Sequence, residues 1–290
     1  MSGPWPSLAP LAAPGRWTTD QALDVLRDAV RDPRRTRTLQ HHEVVTWVRR
    51  DLVAPATAAP DPDAVYRRVR DGGGGETAFL SGEPALQRAG YGTLCDGVPV
   101  TARQRFLGLG NVWCVGLPDA RDRVLDLGCG AGVDTMIAAR ALGSGEARGV
   151  DVRTTLLPDT GDTFPRCVFS AAPAEATALP DGWATLVIAN GLPPLLGLER
   201  AGPVLDEIRR VSTPDVELRF TTLLADPGIG DLGLVNARRT GKPLASDVIA
   251  LLAEAGWAVG EIVPLPSLFV EPAVRSGERF ALVRASRAAT

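Results

Sequence analysis

The chain has 290 residues, of which 45% are hydrophobic and 22% charged, and its formal net charge at pH 7 is −3. This length and apolar content are sufficient for one sizeable core, or for a core with a smaller cap. The small negative charge excludes the global basic field that nucleic-acid-binding proteins carry, so we expect no nucleic-acid partner.

The first residues, MSGPWPSLAPLAAPGRW, have no basic segment and are interrupted by prolines, and no apolar run reaches the length of a membrane helix. We therefore expect a cytoplasmic protein with no membrane partner. The cysteines show no CxxC pairing, which indicates neither a disulfide framework nor a metal site. They are Cys95, Cys114, Cys129 and Cys167.

Two amphipathic segments come first along the chain. Residues 19–31 carry apolar side chains at helical spacing behind a Thr/Asp cap, and residues 36–52 continue in the same manner after a proline. A Pro/Ala-rich linker and a loop with four consecutive glycines follow. We expect residues 1–112 to form a helical cap or lid that shapes a substrate site, and residues 113–290 to form a second domain.

From Arg123 onward, seven short apolar segments alternate with segments of helical spacing. The first is RVLDLG, residues 123–128, and the last is RFALVRAS, residues 279–286. This alternation predicts an α/β fold with a doubly wound, mostly parallel seven-stranded sheet. In such Rossmann-like folds, ligands bind at the carboxyl ends of the strands.

The first strand runs into a glycine-rich turn, VLDLGCGAGVDT, residues 124–135. Such turns usually bind a phosphate, because bare backbone N–H groups and the positive end of a helix favour an anion. Here Asp126 precedes the turn, and a carboxylate at that place repels a pyrophosphate but pairs with an ammonium. The glycines Gly128, Gly130 and Gly132 are spaced GxGxG and not GxGxxG as in dinucleotide sites. We therefore expect a ligand that carries positive charge at this turn.

These residues resemble the first motif of the class I S-adenosylmethionine-dependent methyltransferases, an acidic residue followed by GxGxG. The resemblance implies that the methionine ammonium of the cofactor meets Asp126. It also implies that Asp151, at the end of the next strand, accepts the ribose hydroxyls, and that Glu175 lies near the adenine amino group. Further positions that the resemblance places at the cofactor are Cys129, Asp134, Val152, Leu156, Ala176 and Asn190.

The segment before the first strand is similar to the arsenite methyltransferase branch of that family. It contains GLGN at residues 108–111, where that branch has GxGNP, and AGYG at residues 89–92 and ANGLPPLL at residues 189–196 resemble further parts of it. We accordingly place Gly110 and Asn111 beside the cofactor. That branch binds arsenic through thiolates, one of them after the fourth strand, where this chain has no cysteine. We therefore expect a small organic substrate and not a metalloid.

One departure from the family concerns the segment after Asp151. The family has a helix there, but RTTLLPDTGDTFPRC, residues 153–167, is interrupted by Pro158 and Pro165. We expect this helix to be truncated or absent, and the adenosine side of the pocket to be more open than usual.

Few residues are suited to removing a proton from a methyl acceptor. His41 and His42 are the only histidines, and they share a predicted helix on which one ring faces either a pocket or solvent. Tyr91 either orients a substrate or packs with a half-buried ring. These three residues are the candidate catalytic residues.

The sequence thus predicts a methyltransferase that uses S-adenosylmethionine on a small organic molecule, in specialised-metabolite biosynthesis. Two alternatives stay open. One is an enzyme of the same fold that binds the cofactor, or a substrate adduct of it, and catalyses a cyclisation such as cyclopropane formation, or an elimination. The other is a non-catalytic binding protein with this fold. The sequence leaves the oligomeric state open.

Overall fold

The structure is a computed structural model. It describes residues 80–158, 160, 163–191, 201–225, 245–270 and 278–288. All of these belong to one compact unit, Ala59–Thr290. The two helices expected near the start of the chain, with His41 and His42, lie outside the described residues.

Seven strands form a single sheet. Their bounds are β1 Arg123–Leu127, β2 Glu146–Asp151, β3 Cys167–Ala171, β4 Ala184–Asn190, β5 Ser212–Ala225, β6 Trp257–Pro264 and β7 Glu278–Arg287. The order across the sheet is β3-β2-β1-β4-β5-β7-β6. The first five strands are parallel, whereas β7 is antiparallel to both β5 and β6. The expected mostly parallel, doubly wound fold is confirmed.

Helices connect and cover these strands. Their bounds are α1 Gly82–Arg88, α2 Val100–Gln104, α3 Val133–Ala141, α4 Ala201–Val211 and α5 Ala245–Glu254, with a 3₁₀ helix at Gly92–Cys95. α3 follows the glycine turn directly and is buried along most of its length. None of the helices in the described part of the chain combines the length and the apolar character that a bilayer-spanning helix needs.

The sheet separates two apolar layers. Because successive strand residues point to opposite faces, β1 contributes Val124 to one layer and Leu125 and Leu127 to the other. Asp126 shares the face of Val124, the layer that also contains Met136 of α3. The fold therefore places this carboxyl group under the start of α3, among apolar neighbours.

The described part of the expected cap belongs to the same core as the sheet. Ala85, Tyr91 and Phe106 lie in one apolar cluster with Val124 and Met136. These three residues are at most 5% exposed, because they pack over the face of the sheet that carries α3. The described residues before β1 therefore pack directly against the sheet.

Between β2 and β3, the described residues form turns and bends and no α-helix, as expected from the two prolines. Phe164 is buried in the apolar cluster of α3, and Phe169 of β3 packs against the same cluster. Aromatic side chains of this segment and of β3 therefore pack against the cluster that contains α3. Val152, immediately after β2, remains 61% exposed.

Candidate functional site

The glycine turn lies at the carboxyl end of β1, between β2 and β4, where the strand order reverses. Ligands of doubly wound folds bind at such a switch point. The backbone N–H groups of Gly128 and Cys129 donate to the Val150 carbonyl oxygen, at 2.8 and 3.1 Å, which holds the turn against the end of β2.

Gly132 ends the turn and precedes α3 with a φ of 74°, in the left-handed region that glycine adopts at least cost. A Cβ atom at this position would lie 2.5 Å from the Phe169 ring, far inside van der Waals contact. Both the backbone conformation and the close approach of β3 therefore require a glycine here.

Asp126 is the first buried carboxylate of the site, with 2% of its surface exposed. Its Oδ2 accepts a hydrogen bond of 2.6 Å from the Thr135 hydroxyl in the first turn of α3. Burial, followed by the negative charge of Asp134, raises the pKa of Asp126 well above its usual range. An added positive charge near this group would favour its ionised form.

Asp134, in the first turn of α3, is the second buried carboxylate. Its Oδ1 accepts a hydrogen bond of 2.7 Å from the Tyr91 hydroxyl, and its Oδ2 accepts one of 2.8 Å from Asn190 Nδ2. Burial raises the pKa of Asp134 to about 6, against the opposing effect of these donors. The buried Trp113 indole is a third neighbour that lowers this pKa, because its N–H faces the Asp134 carboxylate.

Asn190, the last residue of β4, connects the site to the segment before β1. Its Oδ1 accepts hydrogen bonds from the Leu109 backbone N–H, at 2.8 Å, and from the Thr221 hydroxyl, at 2.7 Å. Its Nδ2 also lies 2.8 Å from the Gly110 carbonyl oxygen. The side chain expected at the cofactor is therefore held by protein groups on every side, and it fixes the GLGN segment over the end of β4.

Tyr91, one of the candidate catalytic residues, is 1% exposed. Its hydroxyl lies 2.7 Å from Asp134 and 3.0 Å from the Gly110 carbonyl oxygen. Burial and then the charge of Asp134 raise the pKa of Tyr91 well above 10. The hydroxyl therefore keeps its proton at neutral pH and acts as a donor to Asp134, not as a base.

Asp151, at the end of β2, is the third buried carboxylate, with 6% exposed. Its Oδ2 accepts a hydrogen bond of 3.0 Å from the Gly130 N–H, and its Oδ1 accepts one of 2.9 Å from the Arg153 N–H. It thus ties the glycine turn to β2 and retains oxygen lone pairs for a ligand. Beyond it, Val152 is exposed and Leu156 is half-buried.

Glu175 and Ala176 follow β3 in a turn, where Glu175 is half-buried and Ala176 exposed. The next residue, Thr177, donates hydrogen bonds from its N–H and its hydroxyl to Glu207 Oε1 of α4, both at 2.7 Å. Arg210 donates to the same carboxylate, and these hydrogen bonds lower the pKa of Glu207 to about 2. This anchor on α4 holds the turn in place.

Two expected cofactor residues have a local role in this arrangement. Asn111 is 4% exposed, accepts a hydrogen bond of 2.9 Å from the Trp113 N–H and donates one of 3.2 Å to the Gly90 carbonyl oxygen. Cys129 is half-buried in the glycine turn, where burial raises the pKa of its thiol. Among the described residues, no group of three or more His, Cys, Asp and Glu side chains is arranged to hold a metal ion.

Thr135, Thr221 and Glu207 were not identified from the sequence. Thr135 lies nine residues after Asp126, a separation that only the turn between β1 and α3 closes. Thr221 is the register partner of Asn190 across β4 and β5. Only the pairing of β4 with β5 identifies Thr221 as a neighbour of Asn190, and the sequence alone does not give that pairing.

The site thus has three buried carboxylates and, within the ranges that the structure describes, no Arg forms an ion pair with any of them. Buried charges in proteins are normally paired or neutralised by a proton. The arrangement is therefore suited to a ligand that brings positive charge.

Comparison with known proteins gives a family and a set of similar folds. Residues 124–215 match the family described as a methyltransferase domain. An arsenic(III) S-adenosylmethionine methyltransferase from Chlamydomonas reinhardtii is 24% identical, with a TM-score of 0.50, over 72% of this chain and 75% of that one.

Two further solved structures have TM-scores above 0.5. Geranyl diphosphate C-methyltransferase from Streptomyces coelicolor A3(2), with Mg²⁺, geranyl diphosphate and S-adenosylhomocysteine, is 16% identical, with a TM-score of 0.52, over 81% of this chain and all (100%) of that one. A geranyl diphosphate methyltransferase with sinefungin is 15% identical, with a TM-score of 0.51, over 77% and 94%. At these identities the likeness shows the fold alone.

Proposed function

We propose that this chain, which carries a class I S-adenosylmethionine-dependent methyltransferase domain, transfers a methyl group from that cofactor to a small organic molecule. The resemblance and the cofactor read from the sequence are confirmed by the family match. The single observation that carries the proposal for the site is the trio of buried carboxylates around the glycine turn, Asp126, Asp134 and Asp151, which form no ion pair with any described residue.

The residues present fit S-adenosylmethionine. The cofactor has an ammonium and a sulfonium, and the site has carboxylates without a described cationic partner. We assign Asp126 to the methionine ammonium, Asp151 to the ribose hydroxyls and Glu175 to the adenine amino group. The buried Trp113 indole acts on Asp134, whose pKa it lowers.

When bound, the cofactor supplies an electrophilic methyl group on a positively charged sulfur. Asp126, Asp151 and Glu175 would hold the cofactor at the glycine turn, and an acceptor bound beside it would take the methyl group, leave S-adenosylhomocysteine and release any proton that it carries. The protein's part is mainly positioning and the exclusion of water. The tie from Asn190 to Leu109 and Gly110 holds the segment that covers the end of β4, next to the glycine turn.

None of the described side chains is assigned as the base. Tyr91 keeps its proton, as argued above, and Asp134 is occupied by two donors. His41 and His42 stay predictions, since they lie outside the described residues. An acceptor that is acidic enough to lose its proton to water needs no base from the protein.

A small organic substrate is supported by two observations. The residues after β4 include no cysteine where the arsenite branch has a thiolate ligand. Two solved structures of similar fold carry geranyl diphosphate as substrate. We propose a substrate of specialised metabolism on these grounds.

Calorimetric titration tests the cofactor assignment. We expect both S-adenosylmethionine and S-adenosylhomocysteine to bind, with a rise in melting temperature for each. The absence of heat and of a thermal shift with both ligands would contradict the proposal and favour the non-catalytic alternative.

A second candidate, cyclisation or elimination without methyl transfer, rests on the segment between β2 and β3. Its described residues contain no α-helix, and Val152 is 61% exposed there, which leaves apolar surface for a ligand larger than the cofactor. Candidate substrates incubated with enzyme and methyl-labelled S-adenosylmethionine separate the two. A product with one labelled methyl supports methyl transfer, whereas turnover without label supports the second candidate.

A further inference from the structure

The two buried carboxylates next to the glycine turn, Asp126 and Asp134, interact through their charges. The charge of Asp134 acts to raise the pKa of Asp126, so the two groups resist ionising together. In the free protein, Thr135 donates to the first carboxylate, and Tyr91 and Asn190 donate to the second. These donors are uncharged and reduce the repulsion only in part.

Among the described residues, the other ionisable groups that face the pair add no positive charge. From β2, Asp151 acts to raise the pKa of Asp126. Each of the remaining groups is neutral when protonated and negative when not. They are Tyr91 and Cys95 of the segment before β1, Cys129 of the turn and Cys167 of β3.

The hydrogen bonds of Asp134 locate it between the glycine turn and the end of β4. It begins α3 immediately after the turn, and Asn190 connects it to the end of β4 and to the Gly110 carbonyl oxygen. Under the proposed function, the cofactor sulfur lies between its amino-acid end, at the turn, and its ribose, at Asp151. Asp126 and Asp134 flank the turn, so this assignment implies that both carboxylates act on a charge at that sulfur.

We propose that Asp134 is a specificity-determining residue, which makes the site prefer the cationic cofactor S-adenosylmethionine over its product S-adenosylhomocysteine. The inference rests on the proposed function. The two ligands share the ammonium, the carboxylate and the adenosine, and they differ in the charged methyl sulfonium. The ratio of their affinities therefore isolates the response of the site to that charge. Product release after methyl transfer follows from the same preference.

Asp134→Asn removes the charge and keeps the shape. The introduced amide oxygen accepts from Asn190, and the introduced NH₂ donates to the Tyr91 oxygen. The Tyr91 proton then turns to the Gly110 carbonyl oxygen, which lies 3.0 Å away. Tyr91 and Asn190 each keep a hydrogen-bond partner, so the substitution mainly removes the charge.

The control is Tyr91→Phe, which removes a hydrogen bond to Asp134 and leaves the carboxylate charge in place. Dissociation constants for both ligands are measured by calorimetry with the full chain at pH 8. In Asp134→Asn we expect the affinity for S-adenosylmethionine to fall about tenfold, as for a lost charge-assisted contact, and that for S-adenosylhomocysteine to fall much less. Tyr91→Phe should change both affinities by the same factor.

Two results would overturn the inference and make Asp134 structural. One is that Asp134→Asn lowers the affinities for both ligands by the same factor. The other is that Tyr91→Phe reduces the preference for S-adenosylmethionine as much as Asp134→Asn does. The wild-type protein provides a test without any variant. Its preference for the cationic ligand should fall as the pH is lowered through about 6, where Asp134 takes up a proton. A preference that does not change with pH contradicts the inference, whereas failure to bind either ligand contradicts the proposed function itself.

Discussion

The Tyr91 hydroxyl donates a 2.7 Å hydrogen bond to Asp134 Oδ1, and the two residues are 43 positions apart in the chain. Both are buried, and this bond joins the segment before β1 to the first turn of α3. The same carboxylate accepts from Asn190 at the end of β4. One buried polar network therefore connects the three elements that surround the glycine turn.

Removal of the Asp126 carboxylate should weaken cofactor binding. We expect Asp126→Ala to lower the affinity for S-adenosylmethionine about 10-fold or more, because a charge-assisted contact contributes about 1.5 to 3 kcal/mol. Cys129→Ala, in the same turn, is the matched control and should change the affinity little. Calorimetry measures both constants, and equal affinities for the two variants would show that the turn does not receive the ammonium.

Asp151→Asn should weaken binding of adenosine, which lacks the methionine part of the cofactor. The Asp151 carboxylate has lone pairs for the ribose hydroxyls beyond those used by Gly130 and Arg153. Asp96→Asn, at an exposed position, is the control. If adenosine binds the wild type and Asp151→Asn with the same affinity, the ribose assignment is incorrect.

The free protein should lose stability as the pH rises from about 4 to about 6. Asp134 has its pKa raised to about 6 in the fold, so over this range the folded form keeps a proton that the unfolded chain has already lost. The loss amounts to about 2 to 3 kcal/mol for this one group, and it is complete above the folded pKa.

Denaturant unfolding at pH 4.5 and pH 7, without ligand, measures this effect. Asp134→Asn should show a smaller loss between the two pH values than the wild type, because the amide does not titrate. Identical pH dependence in both proteins would mean that Asp134 ionises in the fold as easily as in the unfolded chain.

Gly132→Ala should destabilise the protein more than Gly182→Ala. Both glycines have a positive φ, of 74° and 63°, so each substitution introduces backbone strain of about 1 to 2 kcal/mol. A Cβ at Gly132 also meets Phe169 at 2.5 Å, whereas one at Gly182 meets nothing within 4 Å. The difference in unfolding free energy between the two variants isolates the clash, and we expect it to exceed about 1 kcal/mol.

Glu207→Gln should release the turn that contains Glu175. Hydrogen bonds from Arg210 and Thr177 lower the pKa of Glu207 to about 2, so its contribution is complete above about pH 4.5 and is lost as the pH falls toward 2. At pH 7 we expect a loss of about 1 to 3 kcal/mol by denaturant unfolding. Glu254→Gln, exposed on α5, is the control and should leave the stability nearly unchanged. A loss in Glu207→Gln no larger than the control's would show that the anchor on α4 contributes nothing.

The sequence by itself determined the elements and the positions of Asp126 and Asp151 at the ends of consecutive parallel strands. Apolar periodicity, the GxGxG spacing and proline placement are local signals, and they sufficed for the sheet and for the lack of an α-helix among the described residues between β2 and β3. Only the tertiary structure decided that Tyr91 donates to Asp134, that Thr221 holds Asn190 and that residues 80–112 share the core of the sheet. These contacts join residues that are far apart in the chain. Burial and strand register decide whether a hydroxyl or an amide contacts a ligand or a buried carboxylate, and no local sequence pattern encodes either of them.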